Sequence, residues 1–265
     1  MKQITRELER EKLKRLVEMA DAHCHLDLIT NNDLIKESID SGVKTIITNG
    51  VNTRSNMKSL EITDNINVFA ALGVDPENAI SLTKEELDFN IKMIRSNRSK
   101  IVAIGEIGLD YKKGVGSKDT EKQKSVFKSF LELAKELDMP ISVHSRNAIV
   151  DVIELVKEYK MDRAHFHFFE GDVVNAKEIE KNGYVISIPP VETGRRKRVI
   201  RSISIENIMV ESDAPVVGAT PQDVEKSIKI IAEAKDIGFE RVAEQLTNNT
   251  KQFFRTGSKS VFMRY

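Results

Sequence analysis

Eight short apolar or β-branched runs recur along the chain, at 20–26, 43–49, 67–73, 101–106, 140–144, 164–168, 183–188 and 207–212. A turn follows each, and then usually a longer stretch with apolar positions three and four apart. Short runs of this composition read as strands, and the three-and-four spacing reads as one buried face of a helix. Helices are predicted at 32–41, 84–98, 118–138 and 147–160, with two more, 221–235 and 239–254, closing the chain. Strands that alternate with helices pair in parallel through right-handed crossovers. Eight such units in 265 residues predict an α/β chain folded as a (β/α)8 TIM barrel, with an open doubly wound sheet as the second possibility.

Before the first strand, residues 2–18 place Ile4, Leu8, Leu13 and Leu16 at near-helical spacing on a strongly charged background. They predict an extra N-terminal helix lying over one end of the domain. The expected organisation is a helical extension (1–19), a barrel (20–256) and a short tail (257–265). The segment 112–118 (KKGVGSK) is the most flexible-looking stretch and follows a strand end, where barrel active-site loops lie.

Composition narrows the functional classes. Lys plus Arg and Asp plus Glu both number 41, so no net field draws the protein onto nucleic acid or an anionic membrane, and a polyanionic substrate must be gripped locally. The single cysteine, Cys24, excludes an intramolecular disulfide framework. The N-terminus is too charged for a signal peptide, and no apolar run approaches the roughly 20 residues that span a bilayer. A cytoplasmic location and no membrane partner are expected.

The informative pattern is where histidines and isolated acids fall. His23 and His25 are two apart in an extended run and so share a face. Glu106 ends an apolar run, where an unpartnered buried carboxylate would be costly and a cation would relieve it. His144 ends the fifth run, His167 lies near the end of the sixth, and Asp213 follows the eighth. Each residue alone has a bland reading: Glu106 as an ion-pair partner, Asp213 as a helix cap before Pro215. Their joint placement at the C-terminal ends of five strands, where barrel enzymes carry their chemistry, points to a metal site.

The segments carrying these residues are 21–27 (DAHCHLD), 102–111 (VAIGEIGLDY), 140–146 (PISVHSR), 167–171 (HFFEG) and 211–215 (ESDAP). In this order and over nearly the whole chain after residue 20, they resemble the TatD-related deoxyribonucleases of the amidohydrolase superfamily. The resemblance implies two divalent metal ions. His23, His25 and Asp213 would hold the first, His144 and His167 the second, and Glu106 would bridge them, where other superfamily members use a carboxylated lysine. Three positions depart from the family pattern: Asp75 stands where a histidine is common, Asn147 replaces an acidic residue, and the loop after Asp213 is shortened to 216–221.

Further residues have weaker claims. Arg146 shares parity with His144 and is a candidate clamp for a substrate phosphate; the basic run 195–198 is a candidate backbone contact or a solvated helix face. His165 and Glu211 lie one layer below His167 and Asp213 and are expected to pair beneath the metals. Cys24 should point outward as a small buried hydrophobe. The expected chemistry is hydrolysis by a metal-held hydroxide, since a divalent ion lowers the pKa of water from about 16 toward 7. Asp213 and Glu106 are the catalytic candidates, with Asp213 accepting the water's proton. Mixed imidazole and carboxylate ligands suit zinc, manganese or magnesium. The resemblance makes DNA ends or a small phosphodiester the expected substrate; an amide, lactone or other ester is the alternative, and a non-catalytic metal-binding scaffold a third reading.

Overall fold

A computed structural model describes residues 17–112 and 115–256. The N-terminal helix expected over 2–18 falls, apart from the non-helical Val17 and Glu18, outside the described residues, as does the tail 257–265. The chain runs β1 (Met19–Cys24), α1 (Asn32–Asp40), β2 (Val43–Asn49), α2 (Thr53–Ile62), β3 (Val68–Leu72), α3 (Pro76–Ser81), α4 (Lys84–Ser96), β4 (Ile101–Gly108) and α5 (Ser117–Glu136). It continues β5 (Ile141–His144), α6 (Ile149–Glu158), β6 (Ala164–Phe166), α7 (Val173–Lys181), β7 (Val185–Ile188), α8 (Gly194–Ser202), β8 (Ile208–Val210), α9 (Val224–Lys235) and α10 (Phe239–Phe254). All seven ladders are parallel and the strands pair in chain order, which is the (β/α)8 barrel.

The helix starts follow local chemistry. Thr83 and Glu86 cap α4 reciprocally, and Asp75 caps α3 by accepting from the Asn78 amide at 2.7 Å, with Pro76 next in line. The apolar faces of these helices and the outward residues of the strands, including Cys24, make the main core. A second cluster gathers Ala22, Ile47, Phe69, Ala71, Ala103, Val185 and Met209 from six strands together with Phe254 of α10. This is the barrel interior, stoppered at its lower end by the last turn of α10.

The ladders contain four register shifts, and two of them carry a predicted ligand. Between Asp21 and Cys24, Ala22 and His23 stand opposite the single residue Ile47; between Ile104 and Ile107, Gly105 and Glu106 stand opposite Ser142. Such bulges re-aim a side chain. Counting by twos from Ala22 and Ala103, which face inward, would send His23 and Glu106 outward; the extra residue returns both to the interior. Gly105 permits the second bulge, because a Cβ there would stand 2.7 Å from the Ser142 Cβ and 2.8 Å from its carbonyl oxygen. The strand also continues two residues beyond Glu106, which the sequence placed at its end.

The ring closes between β8 and β1. The Asp213 amide donates to the His23 carbonyl at 3.0 Å and the His25 amide to the Ala214 carbonyl at 2.7 Å. The buried Asp21 carboxylate accepts from the Ser212 amide at 2.9 Å and the Ser212 hydroxyl at 2.5 Å. Burial pushes Asp21 up to about 7 against the opposing pull of those hydrogen bonds.

Candidate metal centre

All five histidines of the chain meet at the upper mouth of this barrel or just beneath it. His23 Nε2 and His25 Nε2 lie 3.3 Å apart. They are 3.4 and 3.6 Å from Glu106 Oε2, and 3.9 and 3.4 Å from Asp213 Oδ1. On the other side, Glu106 Oε1 is 2.9 Å from His144 Nδ1 and 3.0 Å from His167 Nε2, and those two nitrogens are 3.1 Å apart. Ligand atoms about 2.1 Å from one ion stand about 3.4 Å apart in a tetrahedral array and about 3.0 Å apart in an octahedral one. Both groups have the size of a coordination shell, and Glu106 offers one oxygen to each. The two halves touch where the His23 and His167 rings stack, with centroids 3.9 Å apart.

The other nitrogen of each imidazole has its own surroundings. His25 Nδ1 lies 3.0 Å from the Asn49 carbonyl oxygen, His23 Nδ1 3.3 Å from Ser142 Oγ, and His144 Nε2 3.3 Å from Asp110 Oδ2. His167 Nδ1 is buried without a hydrogen-bond partner, 3.8 Å from Glu211 Oε2. Such outer contacts orient a histidine and select its tautomer.

Without cations the cluster holds protons instead. Burial pulls His25 and His144 down, but the carboxylates that face them, Asp213 and Glu106 for the first and Asp110 and Glu106 for the second, prevail, raising them to about 9 and about 10. Burial pushes Glu106 up, and the positive field of His167 with hydrogen bonds from His144, His167 and His23 holds it well below the carboxylate range. Burial and the neighbouring His167 push His23 well down. A crowd of imidazoles and carboxylates trading protons at ligand spacing is the donor set a divalent ion fits.

Asp213 lies in the left-handed region at φ 49°, in the tight turn whose carbonyl accepts from the Val216 and Val217 amides. The turn brings its carboxylate back over the mouth, three residues beyond the end of β8.

Several sequence expectations change in detail. His165 and Glu211 do not touch: β7 lies between their strands, and its inward Ser187 spans the gap, 2.7 Å from His165 Nε2 and 2.7 Å from Glu211 Oε2. Arg146 is already engaged, with Nε 3.1 Å and Nη2 2.5 Å from the Asp110 carboxylate and Nη2 2.9 Å from Glu77. The run 195–198 is not one solvated face: Arg196 is buried beneath the β7–α8 loop with its guanidinium 5.6 Å from the Phe168 ring centre, while Lys197 is half-buried and Arg195 and Arg198 are exposed. Asp75 lies beside the site, and burial together with the Glu106 charge raises it to about 6. Asn147 is exposed in the left-handed region at φ 55°. Burial pushes the Cys24 thiol well up, so it is no nucleophile.

Asp21, Ser142 and Ser187 are absent from the sequence candidates. Ser142 and Ser187 carry a signal, as polar residues at inward parity inside apolar strands. Asp21 carries none, because its partner Ser212 is 191 residues away.

The sequence pattern of the family described as TatD related DNase matches residues 20–255. An uncharacterized metal-dependent hydrolase of Methanocaldococcus jannaschii is 31% identical over 252 residues, covering 91% of this chain and 98% of its own. The human deoxyribonuclease TATDN3 is 28% identical, covering 90% and 95%. Among solved structures, YJJV, a TatD homologue from Escherichia coli, superposes with a TM-score of 0.84 at 23% identity, covering 90% of this chain and 98% of that one. With the metal-ligand geometry above, these likenesses give one conclusion: the chain belongs to the TatD-related deoxyribonuclease family and is a metal-dependent hydrolase.

Proposed function

We propose that this chain is a two-metal phosphodiesterase that trims single-stranded DNA from its ends and accepts small phosphodiesters. The observation that carries the reading is the division of Glu106, whose Oε2 faces His23 and His25 while Oε1 faces His144 and His167. His23, His25 and Asp213 would hold the first ion and His144 and His167 the second. Such a pair, when bound, lowers the pKa of water from about 16 toward 7 and neutralises charge building on a phosphoryl group.

The protein's own groups do the rest. Asp213 overhangs the first position, where it would orient the attacking water and accept its proton as the water oxygen bonds to phosphorus and the bond to the leaving oxygen breaks, the proton then passing to that leaving oxygen. Arg146 stands at the rim and takes a phosphate oxygen by exchanging its Glu77 contact, while Asp110 keeps the guanidinium in place. Arg195 and Arg198 offer contacts further out. Asp75 adds negative charge beside the mouth where a histidine is common in the family, and the chain has no net positive charge. The grip on a long strand is therefore short. The named deoxyribonuclease activity of the human relative supports DNA as the substrate class.

The test is a substrate panel on protein loaded in turn with zinc, manganese and magnesium: end-labelled single-stranded DNA, an aryl phosphodiester, an amide and a lactone. Metal-dependent shortening of DNA from an end is expected, with a shallow salt dependence of roughly 0.7 in log affinity per log salt for each phosphate contact. Cleavage of the amide or lactone with both phosphodiesters untouched would overturn the proposal.

A further inference from the structure

Beneath the metal centre a file of buried polar groups crosses the barrel interior, all of them fully enclosed. It runs from His23 Nδ1 to Ser142 Oγ (3.3 Å), from Ser142 Oγ to His165 Nδ1 (3.2 Å), from His165 Nε2 to Ser187 Oγ (2.7 Å) and from Ser187 Oγ to Glu211 Oε2 (2.7 Å). None of these links belongs to a strand ladder. Each joins inward side chains in the part of the barrel that sequence-local packing would fill with apolar groups, so four polar residues are retained at a desolvation cost.

We infer that Glu211 sets the tautomers of two metal-holding histidines, His167 through the charge it places 3.8 Å from Nδ1 and His23 through a relay of Ser187, His165 and Ser142. The inference rests on the proposed reading that both histidines offer Nε2 to metal. A histidine whose Nε2 lone pair is given to a cation carries its proton on Nδ1. His23 Nδ1–H then donates to Ser142 Oγ, and the Ser142 hydroxyl, free to donate once, gives its proton to His165 Nδ1. His165 must then carry its own proton on Nε2 and donates it to Ser187, whose hydroxyl donates onward to Glu211. Every link is polarised the same way, and the file must end in a pure acceptor. Glu211 fills that place with both oxygens accepting, Oε2 from Ser187 and Oε1 from the Phe168 amide; burial and the Asp213 and Asp21 charges push its carboxyl well up, so the field of the bound cations would be what keeps it ionised.

The second half of the argument is the orphan nitrogen of His167. Its Nδ1 finds no hydrogen-bond partner, and Glu211 Oε2 lies 3.8 Å away. Glu211 Oε1 also accepts from the Phe168 amide at 2.6 Å, which ties down the backbone immediately after His167. One carboxylate thus stands behind a ligand of each metal position. Glu211, Ser187, His165 and Ser142 are positioning residues: they touch neither substrate nor ion, and they act by keeping Nε2 of His23 and His167 unprotonated and correctly turned.

The chain's five histidines make the pattern directly readable. In zinc-loaded protein labelled with 15N-histidine, long-range proton–nitrogen spectra should show His165 neutral with its proton on Nε2, and His23 and His167 protonated on Nδ1. A proton on His165 Nδ1, or on both its nitrogens, overturns the relay without any variant being made. Chelator-competition titrations then supply the energetic readout. Ser142→Ala should weaken one of the two ions by about 10- to 100-fold and leave the other unchanged, whereas Glu211→Gln should weaken both. The carboxamide of that second variant must present an N–H either to Ser187, reversing the file, or to the Phe168 amide, setting donor against donor. Wild-type affinities in both folded variants overturn the relay alone. A wild-type protein that binds no divalent ion overturns the metal reading and the relay with it.

Discussion

At the residue scale, the site depends on carboxylates whose burial is tolerable only because cations or protons stand against them. Glu106 is 4% exposed and touches four imidazoles, so Glu106→Gln removes the one charge that faces both ligand groups while keeping their shape. Elemental analysis of that variant should show loss of metal together with loss of hydrolysis; full occupancy would rule out the bridging role. Asp213 differs because the proposed reading gives it a ligand contact together with the task of taking a proton. Asp213→Asn should lower kcat by about 10²- to 10⁴-fold, the usual cost of losing a general base, with less effect on bound metal than His144→Ala or His167→Ala. Near-normal turnover in Asp213→Asn would place the base elsewhere.

At the scale of strands, the two bulges explain how a period-two structure presents consecutive chemistry. An ideal β4 would point Gly105 inward and Glu106 toward the helices. The bulge opposite Ser142 reverses that, at a point where the neighbouring strand leaves no room for a side chain. Gly105→Ala should therefore press β4 and β5 apart, costing about 1–3 kcal/mol of stability, as overpacked sites do. Urea unfolding of the metal-free protein measures this, and metal affinity should fall in the same variant because Glu106 is its next neighbour. Unchanged stability would mean that the strands yield without strain. The seam between β1 and β8 shows the same economy: short strands meet there through the turn after β8 and through the Asp21 carboxylate, which replaces ladder bonds that the strands are too short to make.

At the scale of the whole molecule, proton and metal binding are linked to folding. His25 at about 9 and His144 at about 10 lie above the ordinary 6.5. In metal-free protein their stabilisation is complete below about pH 6.5, where folded and unfolded chains both carry the protons, and is lost as pH climbs through 9 to 10. Asp21 at about 7 and Asp75 at about 6 act in the same sense lower down, since the folded chain keeps protons that the unfolded chain releases above about pH 4. Metal reverses the slope by displacing the histidine protons, so its stabilisation grows with pH. The gap in Tm between zinc-loaded and metal-free protein should widen from about pH 6.5 to about 9, and calorimetry in buffers of different ionisation enthalpy should show proton release on binding. A gap independent of pH would mean that these histidines are not the ligands.

The alternation of apolar runs with amphipathic stretches made the barrel legible, because side-chain period is a local property and eight repeats leave few ways to bury eight strands. The clustering of the candidate metal ligands was legible for a related reason: imidazoles and isolated carboxylates at the ends of apolar runs have no cheap structural explanation, and the barrel gathers strand ends at one mouth. What tertiary structure alone decided was register and partnership. Whether His23 and Glu106 face inward depends on bulges set by the neighbouring strands. Whether Arg146 is free depends on Asp110 and Glu77, 36 and 69 residues away in the chain. That His165 reaches Glu211 only through Ser187 follows from the order of strands around the ring. Local periodicity specifies which face a residue occupies on an ideal element; contacts between elements specify where the element departs from ideal and what each polar group finds when it arrives.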